Sequence, residues 1–425
     1  MSSEPPTKPK SNGSPFRVLR NRNFALLFSA GATSTGGFSL GQVALTWLVF
    51  VTTGSTLDIA YLALSSTTAS ILLSLVGGTL VDRHNRRILM ILSDLVRALG
   101  LGVLAAYLYF VGFSLPLVLA VSFILGSFST IFSPAERSLT PAILSVDEVV
   151  GANGLVQITT SMFQSLANAA GGALVAVIGA VAALGINSAT FAISASLIAS
   201  MTLGSAARSH LVLGAQRKSF LNDVAEGIHY LPSNKGLFHL TLSAGILNLF
   251  FAMLTPYVVV YAAKELNGGA IVYGSLLATF AIGLGPGALL VGRTNAVAHA
   301  GKIWGLSGFF TGLAILLLSV TRSFIIALVL FLVVGILSGY GNVTWLSTVQ
   351  LIVPSEMQGR YFGVDQLGSF AVVPVGQVLG ALVIQVLNVQ IDYLIVAIGL
   401  SVTSLGFLLS KELRALRYSA IHRQE

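Results

Sequence analysis

The residues of this chain that could do chemistry are concentrated in one short polar stretch between two long apolar runs. Residues 78–87 read Gly-Thr-Leu-Val-Asp-Arg-His-Asn-Arg-Arg, with one acid and three arginines in the last six positions. Carboxylate and guanidinium groups at a membrane surface form ion pairs that hold neighbouring helices together. The chemistry predicted here is the making and breaking of a charged latch, with Asp82, Arg83, Arg86 and Arg87 as its members.

The same stretch must turn the chain sharply between two helices. Gly78 lets neighbouring helices approach closely, and Asp82 could accept backbone N–H groups at a helix start. Asn85 belongs to the residue type that, after glycine, best tolerates a left-handed backbone. We therefore expect Asn85 in a left-handed conformation at the turn.

No set of side chains in the sequence predicts an enzyme site. The six histidines show no paired spacing for a metal, and none shares a predicted depth with both a serine and an acid. The absence of cysteine excludes disulfides, thiolate metal sites and a cysteine nucleophile. We expect no enzyme activity, no cofactor and no bound metal.

Composition identifies the kind of chain that carries the latch. Of its 425 residues, 55% are hydrophobic and 9% are charged, and the mean hydropathy is +0.87. A water-soluble domain has roughly 25% charged residues. The 44 glycines suit helices that pack closely inside a membrane, so the sequence predicts a protein with many membrane spans.

Twelve apolar runs are long enough to cross a bilayer as helices, which need about 20 residues for a ~30 Å core. The runs do not alternate between apolar and polar residues, which argues against strands. They are 24–51, 59–80, 88–111, 115–133, 155–178, 181–203, 237–261, 270–292, 303–320, 324–346, 363–387 and 391–410. We predict an all-α membrane protein with twelve transmembrane helices in two six-helix bundles.

The division into halves follows from the one long polar connection inside the chain. The predicted units are a basic tail at 1–22, an amino-terminal bundle at 23–203, a linker with an amphipathic helix at 204–236, a carboxy-terminal bundle at 237–410 and a second tail at 411–425. Two such halves are typical of secondary transporters, whose substrate binds near the midplane between them.

Lysine and arginine decide the expected orientation. With the amino terminus in the cytoplasm, all but two of the 23 cationic residues fall on the cytoplasmic side, the exceptions being Lys264 and Arg322. We expect a multi-pass protein of the inner (cytoplasmic) membrane with both termini in the cytoplasm. Anionic lipid headgroups are the expected partner of the basic tail, and no nucleic acid is expected.

The spacing Gly-x-x-x-Asp-Arg-x-Asn-Arg-Arg resembles the loop between the second and third spans of the major facilitator superfamily, whose usual form has glycine in place of Asn85. Other segments resemble the branch of that family that contains macrolide and enterobactin exporters. They are Phe16 to Phe28, Pro134 to Arg137, Asn187 to Ala195, Gly268 to Ser275 and Gly359 to Gly363. The resemblance implies a secondary active exporter of small molecules, of the drug or siderophore type. We expect it to act as a monomer.

The resemblance also implies how the latch works. Asp82 and the three loop arginines would contact the start of span eleven near Asp365, as well as Asp94, Arg97 or Glu136, and would hold the outward-open state. Proton-coupled antiport is expected from the family. Asp58, Glu136 and Asp365 are the candidate proton carriers by elimination.

A second motif of the family lies in the fifth span. Drug–proton antiporters usually carry Gly-Pro-x-x-Gly-Gly there, where this chain has Ala167-Asn-Ala-Ala-Gly171-Gly172. The paired glycines are kept and the kink-forming Gly-Pro is lost. We expect Gly171 and Gly172 to allow close helix packing.

The depth of the acids restricts the expected substrate. None of the 15 acids lies near the centre of a predicted span, where a charge costs about 2.5–3.5 kcal/mol. We therefore expect a pocket that is uncharged at mid-depth and a neutral, zwitterionic or amphiphilic solute. The resemblance places spans one, four, seven and ten around this pocket. The expected contacts are Gln42, Thr46, Asn248, Tyr257, Asn342 and Trp345.

Three functional hypotheses follow. The favoured one is alternating access by rocking of the two bundles, with Pro256, Pro286 and Pro374 permitting spans seven, eight and eleven to bend. A lipid or lysolipid translocase on the same fold would instead show a lateral opening lined by Phe and Leu. A channel or a non-transporting receptor would show ohmic current, or ligand binding without flux.

Overall fold

The structure of the protein is a computed structural model that describes residues 15–144, 146–202, 235–294, 299–353 and 355–410. The first 14 residues, most of the predicted linker and the tail at 411–425 lie outside the described residues, as do the side chains of residues 74–83. The basic tail and the amphipathic helix expected in the linker therefore stay predictions.

The amino-terminal half contains six long helices. They are α1 (Arg22–Thr53), α2 (Thr56–Arg83), α3 (Arg86–Phe110), α4 (Leu115–Ile143), α5 (Val146–Ile178) and α6 (Ala180–Ala199), preceded by a short 3-10 helix at Pro15–Arg20.

The carboxy-terminal half repeats this order within the described residues. Its helices are α7 (Lys235–Leu254), α8 (Ala270–Arg293), α9 (Ala300–Val320), α10 (Phe324–Ile352), α11 (Ser355–Phe370 and Val373–Val386) and α12 (Val389–Leu409). Eleven described spans are long and apolar enough to cross a membrane, and α5 contributes a shorter apolar helix at Met162–Ile178. The predicted all-α architecture of two six-helix bundles is confirmed.

The two ends of the molecule differ in charge. Odd-numbered helices begin at the end that we name the basic end, because Arg86, Arg87 and Arg137 lie there. Even-numbered helices begin at what we name the opposite end. This end is closed by tight turns, in which Gly54 and Gly179 have φ of 62° and 83°, a conformation that glycine adopts without steric cost.

The turn between α2 and α3 differs from the prediction. Asn85 has φ −66° and ψ 109°, which is extended rather than left-handed, and its side-chain oxygen accepts the backbone N–H groups of Arg87 and Ile88. Asn85 is therefore the N-cap of α3. Asp82 cannot occupy that position because α2 continues to Arg83.

Two of the three mid-span prolines interrupt their helices. Pro256 lies in a 3-10 turn at Thr255–Tyr257, after which the seventh span ends in a π-helical turn. Pro374 opens the second part of α11 after a break at 371–372. Pro286 lies inside α8, which runs without a break. Pro256 and Pro374 thus coincide with breaks in spans seven and eleven, whereas α8 continues through Pro286. Bending of the three spans during transport stays a prediction.

Apolar packing joins the two halves mainly at the opposite end. The largest buried cluster combines Val43 and Leu45 of α1 with Val258 and Val259 of the seventh span. The smaller clusters toward the basic end each draw their residues from one half alone. The interior of each half can therefore be described separately near the basic end.

Candidate functional site

A buried ion pair occupies the interior of the amino-terminal half. Asp94 and Arg97 lie one turn apart on α3, which places them on one face of the helix, and the guanidinium of Arg97 donates to the Asp94 carboxylate. Ser34 of α1 donates to the same carboxylate oxygen at 3.2 Å. The side chains of Arg97 and Asp94 are only 2% and 0% exposed.

Aromatic rings and a second acid complete this site, which we name the Arg97 cluster (Asp94, Arg97, Phe132 and Glu136). The guanidinium carbon lies 4.9 Å from the Phe132 ring centre and 4.5 Å from that of Phe191. The charge of Glu136 acts on Arg97 as well, and its carboxylate packs against Gly31 of α1, where any Cβ would overlap it. The structure thus brings together Asp94, Arg97 and Glu136, three of the predicted latch residues.

The described arginines of the α2–α3 loop bond within their own half. Arg86 Nη1 donates to the Ser138 backbone oxygen on α4 at 2.9 Å. Arg87 donates to the carbonyls of Ile198 and Ala199, at 3.1 and 2.6 Å, and so satisfies the free carbonyl groups at the end of α6. These bonds fasten α3 to α4 and α6. The side chains of Gly78, Asp82 and Arg83 lie outside the described residues.

A cavity of about 380 Å³ lies inside the carboxy-terminal half. Helices α7 to α11 enclose it. Its walls are aromatic and aliphatic, with a few amide and hydroxyl groups among them. The lining residues are Ala244, Leu247, Asn248, Phe251, Phe280, Leu284, Trp304, Ser307, Gly308, Thr311, Leu337, Ser338, Gly341, Asn342, Trp345, Asp365, Ser369 and Phe370. All of its described lining residues belong to the carboxy-terminal half, whereas the sequence predicts a pocket between the halves.

One carboxylate lines the cavity, which corrects the prediction of an uncharged pocket. Asp365 is the eleventh residue of α11 and shares the cavity with Asn248 and Asn342. Ser369 Oγ donates to Asp365 Oδ1 at 2.8 Å, and Thr241 is a second hydroxyl partner. Asp365 thus bonds to hydroxyl groups of its own half in this structure. The predicted latch between the loop residues and Asp365 stays a prediction, because the side chains of Asp82 and Arg83 lie outside the described residues.

The other predicted cavity contacts divide into two groups. Asn248, Asn342 and Trp345 line the cavity. Tyr257 does not line this cavity. It is fully buried near the opposite end, with its hydroxyl donating to the Gln377 backbone oxygen.

The remaining predictions fall on α1 and α2. Gln42 and Thr46 are half-buried on α1 and lie outside the described cavity. Thr46 instead interacts with the Tyr273 hydroxyl of α8, across the two halves. Asp58 lies in the first turn of α2 at the opposite end, far along the helix from both buried sites.

The cavity and the Arg97 cluster occupy matching positions in the two halves. Asp94 and Gly308 are the ninth residues of α3 and α9, and Arg97 and Thr311 are the twelfth. On α4 and α10, Phe132 matches Gly341 at the eighteenth position, and Glu136 matches Trp345 at the twenty-second. All four residues of the carboxy-terminal half line the cavity.

The two halves meet closely where α5 crosses α8 at the opposite end. A Cβ on Gly172 would overlap the Ala270 backbone oxygen and lie 3.0 Å from Gly274 Cα, while Gly171 packs on Val43 and Leu40 of α1 in its own half. Only glycine permits such a backbone approach.

Polar contacts join α2 to α11 across the same seam. Thr56 Oγ1 donates to the Ala381 backbone oxygen at 3.2 Å, and Gln377 Nε2 donates to Thr67 Oγ1 at 3.1 Å. Both bonds are at least partly buried. Together with the glycine crossing, they close the opposite end of the molecule.

Several residues of the cavity are not predicted from the sequence. The most important are the two aromatic residues Trp304 and Phe251 and the hydroxyl-bearing Thr311. The repeat between the halves holds the signal that could have found them. When α9 is aligned on α3, Thr311 falls at the position of Arg97. A small residue where the other half has a buried arginine indicates an unfilled space.

The fold and these sites define a multi-pass membrane transporter built from two six-helix halves. The family described as "Transmembrane secretion effector", within the major facilitator superfamily, matches residues 13–422. The chain belongs to this family. The resemblance to the efflux branch of the superfamily is confirmed.

Curated relatives support the same assignment. The chain is 28% identical to the uncharacterized MFS-type transporter YkuC of Bacillus subtilis, over 82% of each chain. It is 23% identical to macrolide efflux protein A of Streptococcus pyogenes, covering 84% of this chain and 88% of the relative. It is 24% identical to the multidrug efflux pump Tap of Mycobacterium tuberculosis, covering 94% and 96%.

Solved structures share the fold. The nucleoside transporter NupG superposes with a TM-score of 0.68 at 14% identity, covering 90% of this chain and 99% of that one. The bacterial relatives and the many spans identify a protein of the inner membrane.

Proposed function

We propose that this protein is a secondary transporter that exports amphiphilic small molecules from the cytoplasm by alternating access, with its basic end facing the cytoplasm. The distribution of lysine and arginine supports this orientation. The cavity beside Asp365, together with a closed opposite end, supports the transport proposal most strongly, because a pocket with access from one side at a time is what a carrier needs.

The seam at the opposite end is the gate in this proposal. Gly172 and Gly274 allow α5 and α8 to touch when the gate is closed, and the bonds between α2 and α11 add to the closed state. Opening would separate these contacts and release the substrate outside. The breaks at Pro256 and Pro374 lie on helices beside the seam and the cavity. Bending at these breaks would help to open the gate.

Proton antiport is the proposed source of energy. A transported proton gains ~2.3 kcal/mol per 100 mV of membrane potential, enough to drive a considerable substrate gradient. Glu136 and Asp365 are the proposed carriers, because each lies inside a different half, one beside Arg97 and the other beside the cavity. Asp58 is less suited, since it lies in the first turn of α2 at the opposite end, away from the cavity and the Arg97 cluster.

The α2–α3 loop has a supporting part in the proposed cycle. Arg86 and Arg87 tie α3 to α4 and α6, which makes the amino-terminal half move as one body. Asp82 would meet span eleven when the cytoplasmic side closes. We expect Asp82→Asn to reduce export while the protein still folds, as normal size-exclusion elution would show.

Uptake into inside-out membrane vesicles tests the proposed function. With an imposed proton gradient, vesicles containing the wild-type protein should accumulate erythromycin or ethidium above vesicles without it. Gly172→Leu should lower this accumulation more than about tenfold, because the leucine side chain prevents closure against α8. Gly285→Ala is the matched control on α8, where an added Cβ meets nothing within 4 Å.

Two results would contradict the proposal. One is full accumulation by a well-folded Gly172→Leu protein. The other is the absence of proton-dependent accumulation of either compound by the wild type.

A further inference from the structure

The cavity of the carboxy-terminal half carries an acid without a cationic partner among its described lining residues. Asp365 is the single ionisable side chain in that set, and its hydrogen-bond partners among the described residues are the neutral hydroxyls of Ser369 and Thr241. It is 3% exposed. A carboxylate removed from water is costly unless a cation or a proton compensates it.

The other half shows how this architecture compensates an acid at the same depth. There the guanidinium of Arg97 fills the space, bonded to Asp94 and lying over the Phe132 and Phe191 rings. At the matching positions the cavity has Gly308 and Thr311. The acid and the aromatic walls are therefore present in both halves, and among the residues that the structure describes at these sites a side-chain cation is present in the amino-terminal half alone.

The walls of the cavity define what could take the place of the missing cation. Trp304, Trp345, Phe251, Phe280 and Phe370 present aromatic surface, which attracts a cation through its π-electrons and buries an apolar body. The amides of Asn248 and Asn342 add neutral hydrogen-bonding groups. The volume of about 380 Å³ lies at the small end of the range for ligand pockets.

We propose that this cavity binds an amphiphilic organic monocation, whose ammonium or guanidinium group faces Asp365 and whose apolar body lies among the tryptophan and phenylalanine rings. This proposal rests on the proposed function, since it names the class of molecule that the transporter would carry. It also assigns the ligand to one half of the molecule, so that the amino-terminal half contributes no group to binding the cation.

Tryptophan fluorescence offers a direct test, because the chain contains three tryptophans and two of them, Trp304 and Trp345, line the cavity. In a Trp47→Phe background, the emission reports on the cavity. Two probes of similar shape separate charge from size: benzyltrimethylammonium and its neutral carbon analogue neopentylbenzene. Titration of each probe into the purified full-length protein gives the dissociation constants.

Asp365→Asn is the decisive variant, because the amide keeps the size of the side chain and an oxygen that accepts from Ser369. We expect it to weaken benzyltrimethylammonium binding at least tenfold while neopentylbenzene binding changes less than twofold. Glu265→Gln is the control, since Glu265 bonds to Gln390 near the opposite end and should leave both constants unchanged.

Equal weakening of both probes by Asp365→Asn, or unchanged binding of the cation, would overturn the proposal. So would a wild-type protein whose emission does not respond to the cation. Export in vesicles is a separate measurement: binding that depends on Asp365 without any export would refute the proposed function and leave the assignment of the cavity intact. Equal export of charged and neutral compounds would refute the assignment of the cavity and leave the proposed function intact.

Discussion

The two halves of this transporter use one interior position in opposite ways. In the amino-terminal half, α3 and α4 fill it with Arg97 held between Asp94 and Phe132. In the carboxy-terminal half, α9 and α10 leave it hollow, with Thr311 and Gly341 at the matching places. Both halves have six helices in the same order, so the difference lies in side chains and not in the fold.

This difference indicates that the two halves have different roles in the protein. In the amino-terminal half, a buried ion pair with aromatic neighbours fills the interior. The carboxy-terminal half combines a cavity with two interrupted helices, at Pro256 and Pro374. The half that contains the cavity is thus also the half in which prolines interrupt two helices.

The largest expected effect is on stability, and it comes from removing the buried arginine of the amino-terminal half. Arg97→Leu should destabilise the protein by about 3–5 kcal/mol, because it leaves Asp94 as a buried acid without its partner. Thr311→Leu, the matching change in the hollow half, should cost about 1 kcal/mol or less, since the larger side chain enters an existing cavity. Thermal unfolding of the two purified variants in detergent measures the contrast.

A double substitution provides the control for that comparison. Asp94→Leu combined with Arg97→Leu should recover part of the lost stability, since both members of the ion pair are then apolar. Equal unfolding temperatures for Arg97→Leu and Thr311→Leu would mean that the two interiors do not differ in the way described.

The next effect comes from making the hollow half resemble the filled one. Thr311→Arg supplies an internal guanidinium in the cavity that contains Asp365 and should reduce benzyltrimethylammonium binding at least tenfold, or by about 1.4 kcal/mol. Thr311→Met occupies similar space without charge and should weaken the cation and neopentylbenzene to the same extent. Tryptophan fluorescence in the Trp47→Phe background measures both. Unchanged cation binding by Thr311→Arg would place the cation elsewhere.

The smallest effect concerns the loop that ties α3 to its neighbours. Asn85→Ala should cost about 1 kcal/mol of stability because it removes the N-cap of α3, whereas Asn85→Gly should cost only a few tenths. Thermal unfolding distinguishes the two. A left-handed turn at this position would instead make Asn85→Gly more stable than the wild type.

Much of the fold could be predicted from the sequence. Long apolar runs fix the helices because a bilayer leaves no other partner for backbone N–H and C=O groups, and Pro256 and Pro374 marked two of the breaks. Pro286 did not break α8, since a proline is tolerated where neighbouring helices and local adjustments satisfy the freed carbonyl.

The site was harder to predict than the fold. Hydropathy shows where a helix is apolar and not where it begins, so α11 was expected to start at residue 363 although it starts at Ser355. The apolar run therefore predicts a helix end beside Asp365, whereas Asp365 is the eleventh residue of α11. The sequence around the cavity residues does not indicate a cavity either. Gly308 and Gly341 resemble ordinary helix-packing glycines until they are compared with Asp94 and Phe132 at the matching positions of the other half.

Distances between spin labels at the two ends test alternating access most directly, and the absence of cysteine makes site-specific labelling simple. One pair of labels at Val177 and Ile271 reports on the opposite end, and a second pair at Ser200 and Leu351 reports on the basic end. In labelled protein that still exports, adding substrate under a proton gradient should lengthen the first distance as it shortens the second. Distances that stay constant, or that change in the same direction at both ends, would contradict this account.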